Sequence, residues 1–402
     1  MVLALTSIPG PHSRADERDA GVRDAGTTAV STRPSALPPV DARAILPLAH
    51  RDGELWVARD ASGRRVELTV SPDLQERARR LFQEYQVPYG ALVAIEPATG
   101  RILAYVSHTS GQANGEDLAR DVTPPAASVF KLITSSALIE AGVSPDTRVC
   151  YNGGSSRLEA AHLQDNPRRD HACATLDEAL GKSLNAVFAK LADKNLNPST
   201  LLRYAKAFGF GQALPFDFAP PPSPIDVSSE RLEFARTAAG FWHTFMSPLH
   251  AALIAATFAN DGNMPRPRLI ERVLLPDGKV APALSAAAAP RSVISPKTAH
   301  AVGKMMLRTC KDGTSRTAFH AQLPGIQVAG KTGSLSANDP YRAYSWWVGF
   351  APAEQPRIAL AALIVNGPVW RIKSSFVARE VLREYLLGKH AEPAQVASRR
   401  KR

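Results

Sequence analysis

Pro124 to Gly142 reads PPAASVFKLITSSALIEAG. Two prolines close an irregular segment, and the apolar-rich run after them predicts one continuous helix as far as Gly142. Ser128 and Lys131 stand near its start, three residues apart and therefore on one helix face. A serine hydroxyl is a weak nucleophile until a base takes its proton. A lysine becomes such a base when burial or a neighbouring cation lowers its pKa. The first helical turn also leaves backbone N–H groups unpaired, and that of Ser128 is a candidate oxyanion donor. The pair carries little information alone, because Ser-x-x-Lys also occurs at Ser398 and Lys401 in a basic tail.

The rest of the composition bounds the answer. The chain has 402 residues, 45% of them hydrophobic, enough for one large domain or two to three small ones with a packed core. A net charge of +11 favours anionic surroundings. No basic stripe interleaved with aromatics and no zinc-finger or RNA-binding signature is present, which argues against a nucleic-acid partner. The excess charge is diffuse and includes Arg399, Arg400, Lys401 and Arg402 at the C-terminus. No stretch has the length of a transmembrane helix. Val2 to Pro9 is weakly apolar and short, and reads as the end of an export segment that starts upstream. Three cysteines, Cys150, Cys173 and Cys310, do not make a disulfide scaffold.

Taken in order, residues 1–43 lack apolar periodicity and read as a disordered arm or export remnant. Residues 44–70 read as a small β element, with turns at Asp52-Gly53 and Ser62-Gly63. A helix starts at Ser71-Pro72-Asp73. ALVAIEP and RILAYVS form a hairpin around Ala98-Thr99-Gly100. Gly142 to Cys173 reads as loop. Helices follow over Leu176–Lys194, Leu201–Phe208, Pro248–Asn260 and Pro296–Thr309. Strands are expected at Gln327–Ser334, in YRAYSWWVGFAP and in PRIALAALIVN, with a closing helix Ser375–Leu387. Two strands, a helical insert, three strands and a helix predict an α+β fold in three layers. An antiparallel sheet would be flanked by helices, with a helical subdomain between its halves. One domain would span 71–390, followed by a basic tail, 391–402.

Two further motifs give Ser128 and Lys131 their meaning. Ser183-Leu184-Asn185 lies in the predicted helix Leu176–Lys194, and Lys331-Thr332-Gly333-Ser334 at a predicted strand. This trio, in this order, resembles the penicillin-binding transpeptidases within the serine β-lactamase-like, D,D-peptidase superfamily. The resemblance runs from about Leu68 to Leu387. It includes LTVSPDLQERA, TLDEALGKSLNAVFAKLA, MSPLHAALIAATFANDGNMPRPRLI, CKDGTSRTAF and WWVGFAP.

The resemblance implies a peptidoglycan D,D-transpeptidase of the periplasm or the extracytoplasmic face of the inner membrane, without cofactor or metal. Its partners would be D-Ala-D-Ala stem peptides, β-lactam antibiotics and other cell-wall synthesis proteins. Ser128 would form the acyl-enzyme and Lys131 would be its base. Ser183 would relay a proton between Lys131, Lys331 and the leaving amine. Asn185 would bond the substrate amide, and Lys331 and Thr332 the terminal carboxylate. Gly333 would let the substrate approach, and Ser334 N–H would complete the oxyanion hole with Ser128 N–H. Lys131 and Lys331, as like charges, would lower each other's pKa.

Alternatives remain open at this level. A D,D-carboxypeptidase shares the acylation step. A β-lactamase needs a deacylation base, for which Asp193 in Asp193-Lys194-Asn195-Leu196-Asn197 is the nearest candidate. A non-catalytic β-lactam sensor would keep the motifs without turnover. Cys150 and Cys173 form a disulfide, closing a loop of about 24 residues worth roughly 3 kcal/mol, or stay free thiols, or join His162 and His171 in a zinc site. Of Trp346 and Trp347, strand alternation predicts one in the core and one bordering the cleft. Trp242 and His243 read as structural, and Cys310 has no assigned role.

Overall fold

The structure, a computed structural model, describes residues 39–388 other than 112–116, 215, 217, 242 and 282–288. The arm up to residue 38, the tail 391–402 and Trp242 lie outside the described residues.

Asp41 caps a short helix, α1 (Ala42–Ile45), by accepting from the N–H groups of Arg43 and Ala44 at 2.9 and 3.3 Å. A 3-10 turn follows over Leu46–Leu48. The strand expected from Ala44 is therefore helical at first, because the Asp41 cap turns the chain. Strands β1 (His50–Asp52), β2 (Leu55–Arg59) and β3 (Arg65–Leu68) then form an antiparallel meander. Helix α2 (Pro72–Glu84) leads to the hairpin β4 (Tyr89–Ile95) and β5 (Ile102–Thr109).

The stretch quoted first is not one helix. Residues 127–130 make a 3-10 turn, and α3 (Lys131–Glu140) starts at the lysine. The expected loop after Gly142 holds a hairpin, β6 (Arg148–Tyr151) with β7 (Ala172–Thr175). The expected helix 176–194 is two, α4 (Leu176–Lys182) and α5 (Asn185–Asn195), broken at Ser183 with φ +58°. Then come α6 (Pro198–Ala207), α7 (Arg231–Ala238), which the sequence reading lacked, and α8 (Pro248–Ala259). Strand β8 (Asn263–Met264) precedes β9 (Ile270–Leu274), a fourth strand on β3. Strand β10 (Arg291–Ser292) pairs with β8. Helices α9 (Pro296–Lys311) and α10 (Arg316–Phe319) precede β11 (Ala329–Asn338), β12 (Tyr341–Ala351), β13 (Ile358–Asn366) and α11 (Ser374–Leu387).

The main sheet runs β11-β12-β13-β4-β5, every pair antiparallel. The two N-terminal strands thus meet the three C-terminal ones through β13 and β4, and the helical region lies between them in sequence. One sheet face packs on α8, which is buried along almost its whole length, as an apolar-all-round helix must be. The other face packs on α2 and α11. The fold is α+β, an antiparallel sheet with helices on both faces. Both tryptophans of β12 are core. Trp346 is 1% exposed and Trp347 is fully buried, because both sheet faces are covered. The expectation that one borders the cleft is corrected.

Candidate active site

Ser128 sits in the 3-10 turn, half-buried, directly before α3. Ala127 in front of it has φ +50°, a conformation costing a non-glycine residue about 1–2 kcal/mol. The turn is held from three sides. Trp346 Nε1–H donates to Pro125 O at 2.9 Å, and Ala126 N–H donates to Thr244 O at 2.9 Å. Gly333 of β11 lies so close that a Cβ there would stand 3.1 Å from Val129 and 3.3 Å from Ala126 O.

Lys131 is fully buried, and its Nζ has three near neighbours: Ser128 Oγ at 2.8 Å, Asn185 Oδ1 at 2.7 Å and Ala239 O at 2.5 Å. Two are pure acceptors, and only the hydroxyl can donate. A neutral amine has two protons to give and one lone pair. In that state it would donate to Asn185 and Ala239 and accept from Ser128 O–H, whereas a charged amine would donate to all three oxygens. Burial pushes the Lys131 pKa well below its ordinary value, and the charge of Lys331 lowers it further. Burial therefore favours an uncharged Lys131 facing the serine, an arrangement that the three contacts accommodate.

Asn185 is oriented by its other end, where Nδ2 donates to Ser155 O at 2.5 Å. The expected bond to a substrate amide is thus a contact this amide would have to add. Ser183 Oγ accepts from Lys331 Nζ at 2.9 Å, and Lys331 also donates to Thr332 O at 2.8 Å. The relay expected between Lys131 and Lys331 therefore reaches Ser183 from the Lys331 side. Burial brings Lys331 down to about 7. The mutual like-charge effect expected from sequence is the smaller cause for Lys131, and burial dominates at both lysines. Thr332 Oγ1 lies 2.5 Å from Thr314 Oγ1. Gly313 packs on Gly181 O, where a Cβ would come within 2.2 Å. This contact fixes the end of α4 against the turn between α9 and α10, whose Thr314 in turn meets Thr332 of the strand carrying Lys331.

Ser128 and Asn185 edge a cleft of about 280 Å³ that also takes in Gly240 and Ser334, with Leu335, Tyr341 and Trp370 at its wall. Sequence reasoning missed the groups that are backbone: Ala239 O, Ser155 O and the left-handed Gly240. Gly240 follows the apolar face of α7, so a helix-stop glycine was the available signal. It also missed Lys190, a lysine inside the apolar run AVFAKLA. Lys190 is buried and pairs with Asp170 at 2.6 Å while donating to Cys150 O at 2.9 Å. Hydrogen bonds from Asn166 N–H and Lys190 pull the Asp170 carboxyl to about 2.

Cys150 and Cys173 are disulfide-bonded across β6 and β7. Their sulfurs are not free for zinc, His162 Nδ1 accepts from Glu159 N–H at 2.9 Å, and no metal-ligand cluster exists among the described residues. The disulfide closes the loop that carries Ser155 and Leu158. Arg236 grips that loop by donating to Leu158 O at 2.7 Å. Replacing both cysteines by serine is expected to cost about 2–4 kcal/mol in urea unfolding. It is also expected to slow acylation of Ser128 roughly tenfold, about 1.4 kcal/mol, through a loosened Asn185. Alkylation of unreduced, denatured protein should find Cys310 as the one reactive thiol.

Asp193, the nearest sequence candidate for a deacylation base, is held by Arg231 through two bonds of 2.7 Å each.

Comparison with known proteins points one way. The profile of a family described as the penicillin binding protein transpeptidase domain matches residues 90–387. The peptidoglycan D,D-transpeptidase PbpA of Mycobacterium tuberculosis is 29% identical over 359 residues, covering 79% of this chain and 70% of the relative. The crystal structure of that organism's PBPA superposes with a TM-score of 0.67 at 26% identity, covering 81% of this chain and 83% of the other. Its ceftriaxone acyl-enzyme complex gives 0.67 at 26% identity, with 80% of each chain covered.

Proposed function

This chain belongs to the penicillin-binding protein transpeptidase family, and from that premise we propose that it is a peptidoglycan D,D-transpeptidase. It takes D-Ala-D-Ala stem peptides as acyl donors and is acylated by β-lactams. The observation that carries the reading is the Lys131 site: a fully buried amine 2.8 Å from Ser128 Oγ, held there by two fixed acceptors, Asn185 Oδ1 and Ala239 O.

The steps follow from that geometry. Lys131 takes the Ser128 proton as Oγ attacks the carbonyl carbon of the penultimate D-alanine. The N–H groups of Ser128 and Ser334 face the oxygen as it gains charge. Lys331, with its proton, and Thr332 hold the terminal carboxylate. Ser183, bonded to Lys331, passes a proton to the departing D-alanine amine and regains the one that Lys131 took from Ser128, which leaves Lys131 neutral again. An acceptor amine from a second stem then gives a proton to Lys131 as it attacks the ester, and Lys131 returns that proton to Ser128 as Oγ leaves. The two-bond Arg231 clamp on Asp193 disfavours the β-lactamase alternative, which needs a free base to activate water. A D,D-carboxypeptidase differs only in the final nucleophile. Because stem peptides lie outside the cytoplasm, the protein acts there, alongside other wall-synthesis proteins.

Incubation with benzylpenicillin should add one penicilloyl mass to the intact protein, and peptide mapping should place it on Ser128. With a D-Ala-D-Ala pentapeptide and a diamino acceptor, the product should be the cross-linked dimer together with free D-alanine. Free D-alanine without dimer would favour the carboxypeptidase, and an unmodified folded protein would sink the reading.

A further inference from the structure

A second cavity, of about 410 Å³, opens beside the catalytic turn and belongs to none of the chemistry above. Its floor is the sheet face formed by Tyr344, Leu363 and Val365, and one wall is the segment Asp121–Pro124 that leads into Ser128. Opposite stand Tyr89 and Arg342. The Arg342 guanidinium lies 5.6 Å over the Tyr89 ring, which is 40% exposed. Asp121 is fixed as an acceptor by Thr123, whose N–H and O–H donate to it at 2.9 and 2.8 Å. Hydroxyls of Thr109, Ser110 and Thr123 complete the rim.

We propose that this cavity binds the N-acetylated amino-sugar backbone of the glycan strand from which the stem peptide hangs. The proposal rests on the transpeptidase reading and extends it. One carboxylate and one guanidinium cancel, so the cavity does not select a charged ligand. It offers instead an oriented acceptor, a planar donor and several hydroxyls around tyrosine rings, the mixture that a polyhydroxylated ring with an apolar C–H face requires. The aliphatic floor of Leu363 and Val365 suits an acetyl methyl. The volume lies within the range of small-molecule sites, about 300–1,000 Å³.

A peptide is the weaker occupant. Three of the strands under the cavity, β12, β13 and β4, are interior to the sheet and their main-chain groups are already paired, and the edge strand β5 reaches the cavity only with its last residue, Thr109, which leaves little edge for a peptide strand to add to. The site also has the right reach. Ser128 follows Pro124, in the cavity wall, by four positions, at most about 14 Å of extended chain. A stem peptide of similar length spans the same distance, and Tyr344 of the cavity floor pairs with Leu335 of the catalytic cleft.

The test compares two donors: a free D-Ala-D-Ala pentapeptide and the same peptide on its N-acetylglucosaminyl–N-acetylmuramyl disaccharide. The full chain should turn over the disaccharide form with kcat/KM about tenfold higher, a gain of about 1.4 kcal/mol. Arg342→Ala and Tyr89→Ala should each bring the two donors to within about twofold while leaving benzylpenicillin acylation unchanged, so a folding defect in one variant leaves the other informative. Equal use of both donors by the wild type overturns the proposal. So does an advantage that survives both substitutions. Variants that lose activity equally on both donors assign the cavity to the peptide instead. Failure of the transpeptidase reading itself looks different, since benzylpenicillin would then leave the wild type unmodified.

Discussion

Lys131→Ala should slow acylation by benzylpenicillin at least about 1,000-fold, since general-base catalysis is worth roughly 100- to 10,000-fold. Two effects add to the loss of the base. Asn185 Oδ1 loses its donor, and so does Ala239 O, which receives the shortest of the three bonds at 2.5 Å. Lys131→Arg should be about as inactive, because a guanidinium holds its proton at all working pH values and has no lone pair for Ser128 O–H. The wild-type pH profile carries the same information with a definite sign. Lys131 must be unprotonated, so kcat/KM for a carboxylate-bearing substrate rises with pH through its depressed pKa. Lys331 must be protonated to hold the carboxylate, so the same parameter falls above about 7. Substrate binding favours the charged form of Lys331, so the alkaline limb of kcat should lie higher than that of kcat/KM. Stopped-flow acylation and steady-state turnover across about pH 5 to 9 measure both limbs. A Lys131→Ala enzyme within tenfold of wild type would remove the base from the scheme.

The side chains of this site were legible in the sequence because their chemistry is type-specific. A serine, two lysines and an amide stand in three ordered motifs that resemble a known family, and the fold gathers them at one place, with Lys131 on Ser128 and Asn185 and Lys331 on Ser183. The core strands were legible too: YSWWVGF and IALAALIV are apolar but for Ser345, as befits strands buried on both faces. What escaped was set by tertiary contact. LDEALGKSLNAVFAKLADK reads as uninterrupted helix, yet it breaks at Ser183, whose left-handed conformation local propensity disfavours. The bond from Lys331 and the glycine contact between residues 181 and 313 hold that break. The orienting groups Ser155 O and Ala239 O are backbone carbonyls, which any residue possesses, so no sequence signal marks them. Helix α7 was missed because RLEFARTA mixes charged and apolar residues over only eight positions, and with it went the glycine that ends it.

That glycine carries the second large effect. Gly240→Ala should reduce acylation at least about 100-fold, the scale on which a displacement of about 1 Å at a reacting group acts. Helix α7 ends in a Schellman motif: Phe241 N–H donates to Arg236 O at 3.0 Å and Gly240 N–H to Thr237 O at 2.9 Å. Gly240 therefore takes φ +79°, which costs an alanine about 1–2 kcal/mol. The larger consequence is steric. A Cβ on Gly240 would stand 2.3 Å from Ala127 O and 3.1 Å from Ser128 Cα. Those are backbone atoms of the nucleophile's own turn, and no side-chain rotation relieves them. The turn must move, or α7 must withdraw and take Ala239 O away from Lys131. Either way the serine and its base part. Gly142→Ala separates this from simple backbone strain. Gly142 has φ +91° but open space around its Cβ position, so its alanine variant should lose about 1 kcal/mol of stability and keep its acylation rate. Thermal melts and benzylpenicillin acylation of the two variants give the comparison. Equal acylation in both would mean that the close packing of Gly240 on Ala127 does not set the position of Ser128.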